Sequence, residues 1–557
     1  MSNQLRRTAI GFGLALSVIG CQGEQDARPS GGSPSVPTVP SVSTSPGFRE
    51  VAAAAGIRYE WRVNAPRPLT IRGTIGNGCA FLDFDSDGNL DVLLVGSPPA
   101  LFRGDGKGKF VDVSSAVGLS GLSGEFLGCA VGDPDNDGDP DVYLTAFRGG
   151  VLLRNEGGKV WKDVSRTAGI PPQPWGTSSA FGDVDNDGFL DLFVGNYVAF
   201  DETTKPQRCD YEGRMSACGP RYYAPRFGKL YRNRGDGTFA DITEATGANR
   251  VSGKALGVAL ADFDGMGRPG IALANDEMPG DLLRTDRSKT LRFRNVGPES
   301  GTAFSASGTV HGGMGIDWGD FNNDGAVDLF VGTFQREEKC VYRNDGGVFT
   351  EVSGSLGLAP ANPYVTFGAK WVDFDNDGWL DLAIANGHIQ DNIADIDRSA
   401  TYRQPILLFR NRQGQAFEDW TDRIDPNGRR PIVGRGLATG DYDNDGRTDL
   451  LVVDSEGTPL LLHNEVPQVG HSLLLRLQGK KSNRMGLGAR IEVRVGGESR
   501  VRFCRTDGSY MSASDGRVSV GLGTATKADS VTVRWPGGHT TVLRDVTADR
   551  QHVIRET

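Results

Sequence analysis

Seven short acidic stretches recur along the chain, and the first, Asp83-Phe84-Asp85-Ser86-Asp87-Gly88-Asn89-Leu90-Asp91, sets the pattern D-x-D-x-D-G-x-x-D. Side-chain oxygens at positions one, three, five and nine, with a backbone carbonyl at seven, can surround one ion, and glycine at six permits the sharp turn. Hard oxygen donors in a flexible loop favour calcium over zinc or copper. The same ligand set recurs as Asp133, Asp135, Asp137 and Asp141, and as Asp183, Asp185, Asp187 and Asp191. It returns as Asp373, Asp375, Asp377 and Asp381, and as Asp441, Asp443, Asp445 and Asp449. The fifth copy uses Asp320, Asn322, Asp324 and Asp328, with one neutral ligand. The fourth has Asp262 and Asp264 but Met266 and Gly270 at positions five and nine, so it is expected to hold no calcium, leaving about six sites. A helical EF-hand does not fit, because no Glu stands at position twelve and strand-like residues follow each loop. Plain Asp-Gly turns would explain one copy but not six aligned ones. Carboxylates crowded at roughly 4 to 5 Å repel, so metal-free loops are expected to open.

The elements that carry these loops repeat with them, at a period of about fifty residues except after the third and sixth copies. A small-residue strand such as Gly128-Cys129-Ala130-Val131 leads into the loop, and one such as Leu190-Asp191-Leu192-Phe193-Val194 follows it. Then come Leu230-Tyr231-Arg232-Asn233, a turn at Gly235-Asp236-Gly237, and Phe239-Ala240-Asp241-Ile242-Thr243. Four strands per repeat at this period describe a propeller blade. The seventh repeat stops at Leu461-Leu462-His463-Asn464, whereas Phe48-Arg49-Glu50-Val51 stands alone before the first loop and matches the missing strand. The fold expected is therefore all-β: a seven-bladed β-propeller over 47–466, closed by its N-terminal strand so that no edge is left open. After it, 470–557 alternates apolar and polar residues in Ile491 to Val495, Val518 to Val520 and Val531 to Trp535, as a small all-β C-terminal domain would.

Composition agrees with many short strands and tight turns: 557 residues hold 78 Gly and 28 Pro, and 38% are hydrophobic. A net charge of -10, with the acids gathered in the loops, argues against nucleic acid and for cations. Residues 1–21 read as an export signal. Arg6 and Arg7 precede an apolar Thr8 to Ile19, and Val18-Ile19-Gly20-Cys21 resembles a bacterial lipoprotein signature, so Cys21 is the expected lipidation site and membrane anchor; an unmodified secretory peptide is the alternative. Residues 22–46, rich in Pro, Ser, Thr and Gly, read as a disordered tether. In an oxidising compartment Cys209 and Cys218 are the best disulfide pair. Cys79 and Cys129 occupy equivalent places in adjacent repeats and read as small buried residues, while Cys340 and Cys504 stay unassigned.

The blade pattern, with Cys218-Gly219-Pro220 ahead of Leu230-Tyr231-Arg232-Asn233 and Asn386-Gly387-His388 after the sixth loop, resembles the FG-GAP/VCBS repeat proteins that carry a C-terminal ASPIC/UnbV domain. In the tail, Ser482-Asn483-Arg484-Met485-Gly486-Leu487-Gly488-Ala489-Arg490 and Val533-Arg534-Trp535-Pro536-Gly537-Gly538 look like that domain's hallmarks. The resemblance extends to integrin α-like repeats, which implies calcium loops on one face and ligand on the other. On that opposite face it places Asn196, Tyr197, Asn275, Asp276, Thr333, Phe334, Asn386 and His388 as a candidate ligand surface for a glycan or protein. The same Asn residues could equally cap turns. Asp317 and Lys370, which replace Ala in neighbouring repeats, form either an ion pair inside the ring or part of that surface. Arg234-Gly235-Asp236 is read as the hairpin turn of the third repeat rather than as an adhesion motif.

With 6 His, no G-x-S-x-G and no H-E-x-x-H, nothing announces a catalytic centre; His388 near Asp391 and Tyr402 is the one constellation to inspect, and a solvent-exposed turn His is the simpler reading. The function expected is a calcium-stabilised, monomeric, cell-envelope binding, adhesion or scaffolding protein. A calcium-dependent carbohydrate-active or tailoring enzyme on the same propeller is the alternative.

Overall fold

The computed structural model describes residues 47–557 apart from 202, 287–289 and 468. The export signal, Cys21 and the tether lie outside the described residues. From Phe48 to Asn464 the strands form five separate four-stranded antiparallel sheets, one eight-stranded sheet that joins two further units, and a two-stranded hairpin of Arg208–Tyr211 and Arg214–Ala217. Each acidic loop connects the first two strands of a unit, as Cys79–Leu82 and Asp91–Leu94 flank the loop of blade one. The joint between blades two and three is a short antiparallel pairing of Gln173 with Gly149 and Trp175 with Phe147. In blade seven the fourth strand is Phe48–Glu50, paired with Leu460–Asn464 through Phe48 opposite Asn464. The first strands of successive units neighbour one another in a cycle that returns from Gly434–Gly440 to Cys79–Leu82, so the ring is closed.

Between blades the core is apolar and aromatic. Phe321, Trp371 and Phe417 pack together where blade five meets blade six, with ring centroids 5.8 to 6.1 Å apart. Toward the axis the side chains must be small. Gly315 leaves so little room that a Cβ there would lie 1.7 Å from the Phe367 carbonyl oxygen, and one on Gly78 would meet the Met511 carbonyl at 1.7 Å.

The tail has two sheets. One orders Val518–Gly523, His471–Gln478 and Arg550–Arg555, with the last pair parallel; the other orders Glu498–Phe503, Arg490–Val495, Lys527–Arg534 and Thr540–Thr547. The segment 504–517, which links Glu498–Phe503 to Val518–Gly523, enters the ring along its axis. It bonds to the first strand of every blade. Ala513 donates its N–H to the Cys79 carbonyl at 3.0 Å, Cys129 to the Met511 carbonyl at 3.0 Å, and Met511 to Ser178 Oγ at 2.9 Å. Leu260 donates to Asp507 Oδ2 at 2.6 Å, Ile316 to the Ser509 carbonyl at 3.0 Å, Ala369 to Ser509 Oγ at 3.3 Å, and Thr439 to Ser514 Oγ at 3.1 Å. Asp317 and Lys370 are the ion pair inside the ring, 3.0 Å apart, and Arg505 of the tail adds a second cation 2.8 Å from Asp317 Oδ1 and 2.7 Å from Asp507. Four buried charges in mutual contact satisfy one another; removing one would leave its partners buried and unpaired.

Candidate functional site

Each acidic loop is a turn held by its own first carboxylate. Asp183 accepts the N–H of Asp187 at 3.0 Å and of Gly188 at 2.9 Å; Asp320 does the same for Asp324 and Gly325, and Asp441 for Asp445 and Gly446. Position four is left-handed throughout, with φ near +60° at Asn136, Asn186 and Asn444, a conformation that Asn tolerates. The carboxylate at position nine ties the second residue of its loop to the third strand of the blade. Asp381 accepts from Phe374 N–H at 2.9 Å and Asn411 N–H at 2.7 Å, as Asp191, Asp328 and Asp449 accept from their counterparts.

Two features of this frame were not read from the sequence. First, the Asn that ends the third strand staples one blade to the one before it: Asn411 Nδ2 donates to the Phe321 carbonyl of blade five at 2.8 Å, and Asn155, Asn233, Asn344 and Asn464 repeat the contact. Second, position four forms a belt, Asn136 to the Gly188 carbonyl, Asn186 to Gly267, Asn323 to Gly378 and Asn376 to Gly446, at 2.6 to 3.1 Å. The recurring Arg-Asn at strand ends, as in Arg232-Asn233 and Arg410-Asn411, was the signal available. Its Arg leans on the loop acids: Arg410 lies 2.6 Å from Asp375, Arg232 2.6 Å from Asp185, and in blade seven His463 replaces it, 3.2 Å from Asp449.

Burial raises the loop carboxyls, and neighbouring carboxylates add to the effect: Asp91, Asp133, Asp183, Asp320 and Asp373 rise to about 7, Asp328 to about 8 and Asp141 to about 9. In loops one, two, three, six and seven, three donor atoms lie within 4.8 Å of one another. Oδ1 of Asp85, Asp185, Asp373, Asp375 and Asp443 is buried with no hydrogen-bond donor among the described residues. Buried anionic oxygens without donors are what a cation would satisfy, so these residues fit a hard metal ion. The fourth loop keeps the turn, with Gly267 N–H 2.9 Å from Asp262 Oδ2. It has no carboxylate at positions five and nine, and a Cβ on Gly270 would lie 2.4 Å from Phe263 Cε1.

The tail lies over this loop face. Arg476 sits 3.5 Å from Asp83, Arg502 donates to the Gly378 carbonyl at 3.0 Å, Gly523 N–H to the Asn376 carbonyl at 2.8 Å, and Arg517 to the Asp441 carbonyl at 2.9 Å.

On the other face the expected ligand residues are drawn inward. Asn196, Asn275 and Asn386 are buried, and their amides serve the strand ends: Asn196 donates to Gln173, Asn275 to the Pro279 carbonyl and Asp281, and Asn386 to the Pro405 carbonyl. These are the turn-capping roles. Thr333 is buried, its hydroxyl donating to the Glu338 carbonyl. Tyr197 is buried and donates to Asp276 at 2.5 Å; Asp276 and Phe334 remain half-buried. His388 is buried, not exposed as expected, because Phe334 of the neighbouring blade packs on its ring at 5.5 Å and its Nδ1 accepts the Gln390 N–H. Burial and Arg435 push it down to about 3, so it is neutral. Its supposed partners are engaged elsewhere: Asp391 binds Arg67 and the Leu69 N–H, and Tyr402 donates to Glu456. Cys209 and Cys218 form a disulfide in the blade-three insertion, and Cys79, Cys129, Cys340 and Cys504 are buried free thiols. Arg234-Gly235-Asp236 lies in the turn between Lys229–Asn233 and Phe239–Asp241.

The FG-GAP-like repeat model matches residues 83–144, 133–194 and 320–384, and the ASPIC and UnbV model matches 479–557. Cartilage acidic protein 1 of Xenopus tropicalis is 25% identical over 446 residues, covering 68% of this chain and 65% of its own length. The Homo sapiens protein is 25% identical over the same span, covering 68% and 64%. The chain thus spans less than two thirds of the length of the curated relatives it matches. Among solved structures, a lectin of Agrocybe aegerita that recognises non-reducing terminal N-acetylglucosamine aligns over 68% of this chain and 86% of its own, at 16% identity and TM-score 0.39. The WD40 β-propeller domain of Doa1 aligns over 72% and 98%, at 10% identity and TM-score 0.36. The chain therefore carries FG-GAP-like repeats on a β-propeller and a C-terminal ASPIC and UnbV domain, and is similar to cartilage acidic protein 1 over 68% of its length.

Proposed function

We propose that this protein is a calcium-stabilised binding or scaffolding module, held to a membrane of the cell envelope through a lipid on Cys21. The observation that carries the calcium reading is the set of buried loop carboxylate oxygens without donors. Asp83, Asp85, Asp87 and Asp91 would hold one ion, and the corresponding residues of loops two, three, five, six and seven would hold five more. The ion supplies charge compensation, and the chain supplies a ring whose blades are joined through the same loops. A glycan or protein partner would use the face away from the tail, where the blade-three insertion exposes Met215, Tyr222 and Phe227. Metal analysis of the protein after dialysis against buffered calcium tests the reading. About six equivalents of calcium per chain are expected; fewer than three would remove the loops from a metal role.

A further inference from the structure

The last residue but one of the third strand is arginine in six blades, at Arg103, Arg154, Arg232, Arg284, Arg343 and Arg410, and histidine, His463, in blade seven. The exchange changes what reaches the acidic loop. Arg232 and Arg410 stop at positions three and five of their loops, 2.6 to 3.1 Å from Asp185, Asp187, Asp375 and Asp377. His463 goes deeper. Its Nδ1 lies 3.2 Å from Oδ1 of Asp449 at position nine and 3.7 Å from Oδ2 of Asp443 at position three. The positive charge that arginine brings elsewhere comes here from Arg447 of the loop itself, whose Nε donates to Asp445 at 2.8 Å.

The imidazole is thereby placed among the ligand oxygens. Asp443, Asp445 and His463 offer ligand atoms that all lie within 4.8 Å of one another. Atoms that share an ion at about 2.1 Å stand about 3.0 to 3.4 Å apart, a separation His463 and Asp449 already have. Tyr442 packs edge-on against the imidazole at 5.8 Å and holds its plane. An ion pair alone would account for the contact with Asp449, but it leaves Oδ1 of Asp443 buried with no donor among the described residues. Calcium takes oxygen donors, whereas an imidazole nitrogen beside carboxylates suits first-row divalent ions.

We propose that loop seven is a transition-metal site, in which His463 with Asp443, Asp445 and Asp449 binds one first-row divalent ion such as Zn2+ while the all-oxygen loops keep calcium. The inference rests on the reading of the loops as cation sites, and in calcium alone loop seven still counts among the six. The test titrates the full chain, without an affinity tag and in excess calcium, with Co2+ as a visible probe and then with Zn2+. One cobalt equivalent is expected, with ligand-field absorption that Zn2+ abolishes. His463→Arg restores the residue of the other six blades, so the fold should hold. Its cobalt affinity should fall by about tenfold or more, with calcium in the other loops unchanged by elemental analysis. No cobalt equivalent against excess calcium in the unaltered chain, or one that survives unchanged in His463→Arg, overturns the proposal. Cobalt binding that depends on His463 in a chain that takes up no calcium would sink the calcium reading and leave this one standing.

Discussion

The six intact acidic loops and the fourth share a backbone but not a charge. In all of them the first Asp accepts the N–H of the glycine at position six. The fourth keeps this turn without Asp at positions five and nine and without Asn at position four. The turn is therefore kept by Asp262 and Asp264 alone, and the carboxylates at positions five and nine of the intact loops are surplus to its geometry. Those at position nine are also unfavourable: burial, with like charges beside it, raises Asp141 to about 9 and Asp328 to about 8. In the fourth loop the Phe263 ring takes the place of the ninth side chain and stacks on Trp318 at 5.9 Å. Aromatic packing replaced what a bound ion would supply.

Chelation should break the comparison most visibly. A site held at a hundred times its dissociation constant stabilises by about 2.7 kcal/mol, so emptying several should lower the melting temperature by about 10 °C or more; a calorimetric melt unchanged by chelator would make the intact loops equivalent to the fourth. Next, Asp381→Ala leaves the Phe374 and Asn411 N–H groups without an acceptor and is expected to cost about 3 kcal/mol in chemical denaturation, against about 1 kcal/mol for Asp262→Ala.

The sign of the pH dependence sharpens the contrast further. Without metal, carboxyls whose folded pKa is raised to about 7 favour the protonated fold, so stability is greatest near pH 4 and falls as pH rises toward 7. With calcium the same groups are held ionised, and stability should instead fall as pH drops. Urea midpoints across pH 4 to 7, with calcium and with chelator, should slope in opposite directions. The smallest effect is Met266→Asp, which should add no bound metal by elemental analysis, because Phe263 still blocks position nine.

Much of this was legible in the sequence. The loops declare themselves through carboxylates at alternate positions, and the ring's closure follows from a fourth strand missing at Asn464 and standing alone at Phe48. What stayed hidden depends on partners from many blades. Residues 504–517 carry no helix or strand period, since their bonds go to seven different strands. His388 looked exposed because its cover, Phe334, belongs to another repeat. The Asn residues of the far face carry the same letters whether they greet a ligand or cap a strand, and only their distances to Pro279 and Pro405 decide it.

The threaded tail also has a consequence for how the chain is assembled. Phe48–Glu50 is made first among the described strands yet waits for Leu460–Asn464, and the segment that fills the axis is synthesised later still. Such long closures are slow. Once 504–517 is seated, no blade can leave without breaking bonds to a segment that also holds the six others. Ring and tail should accordingly come apart together, in one calorimetric transition rather than two.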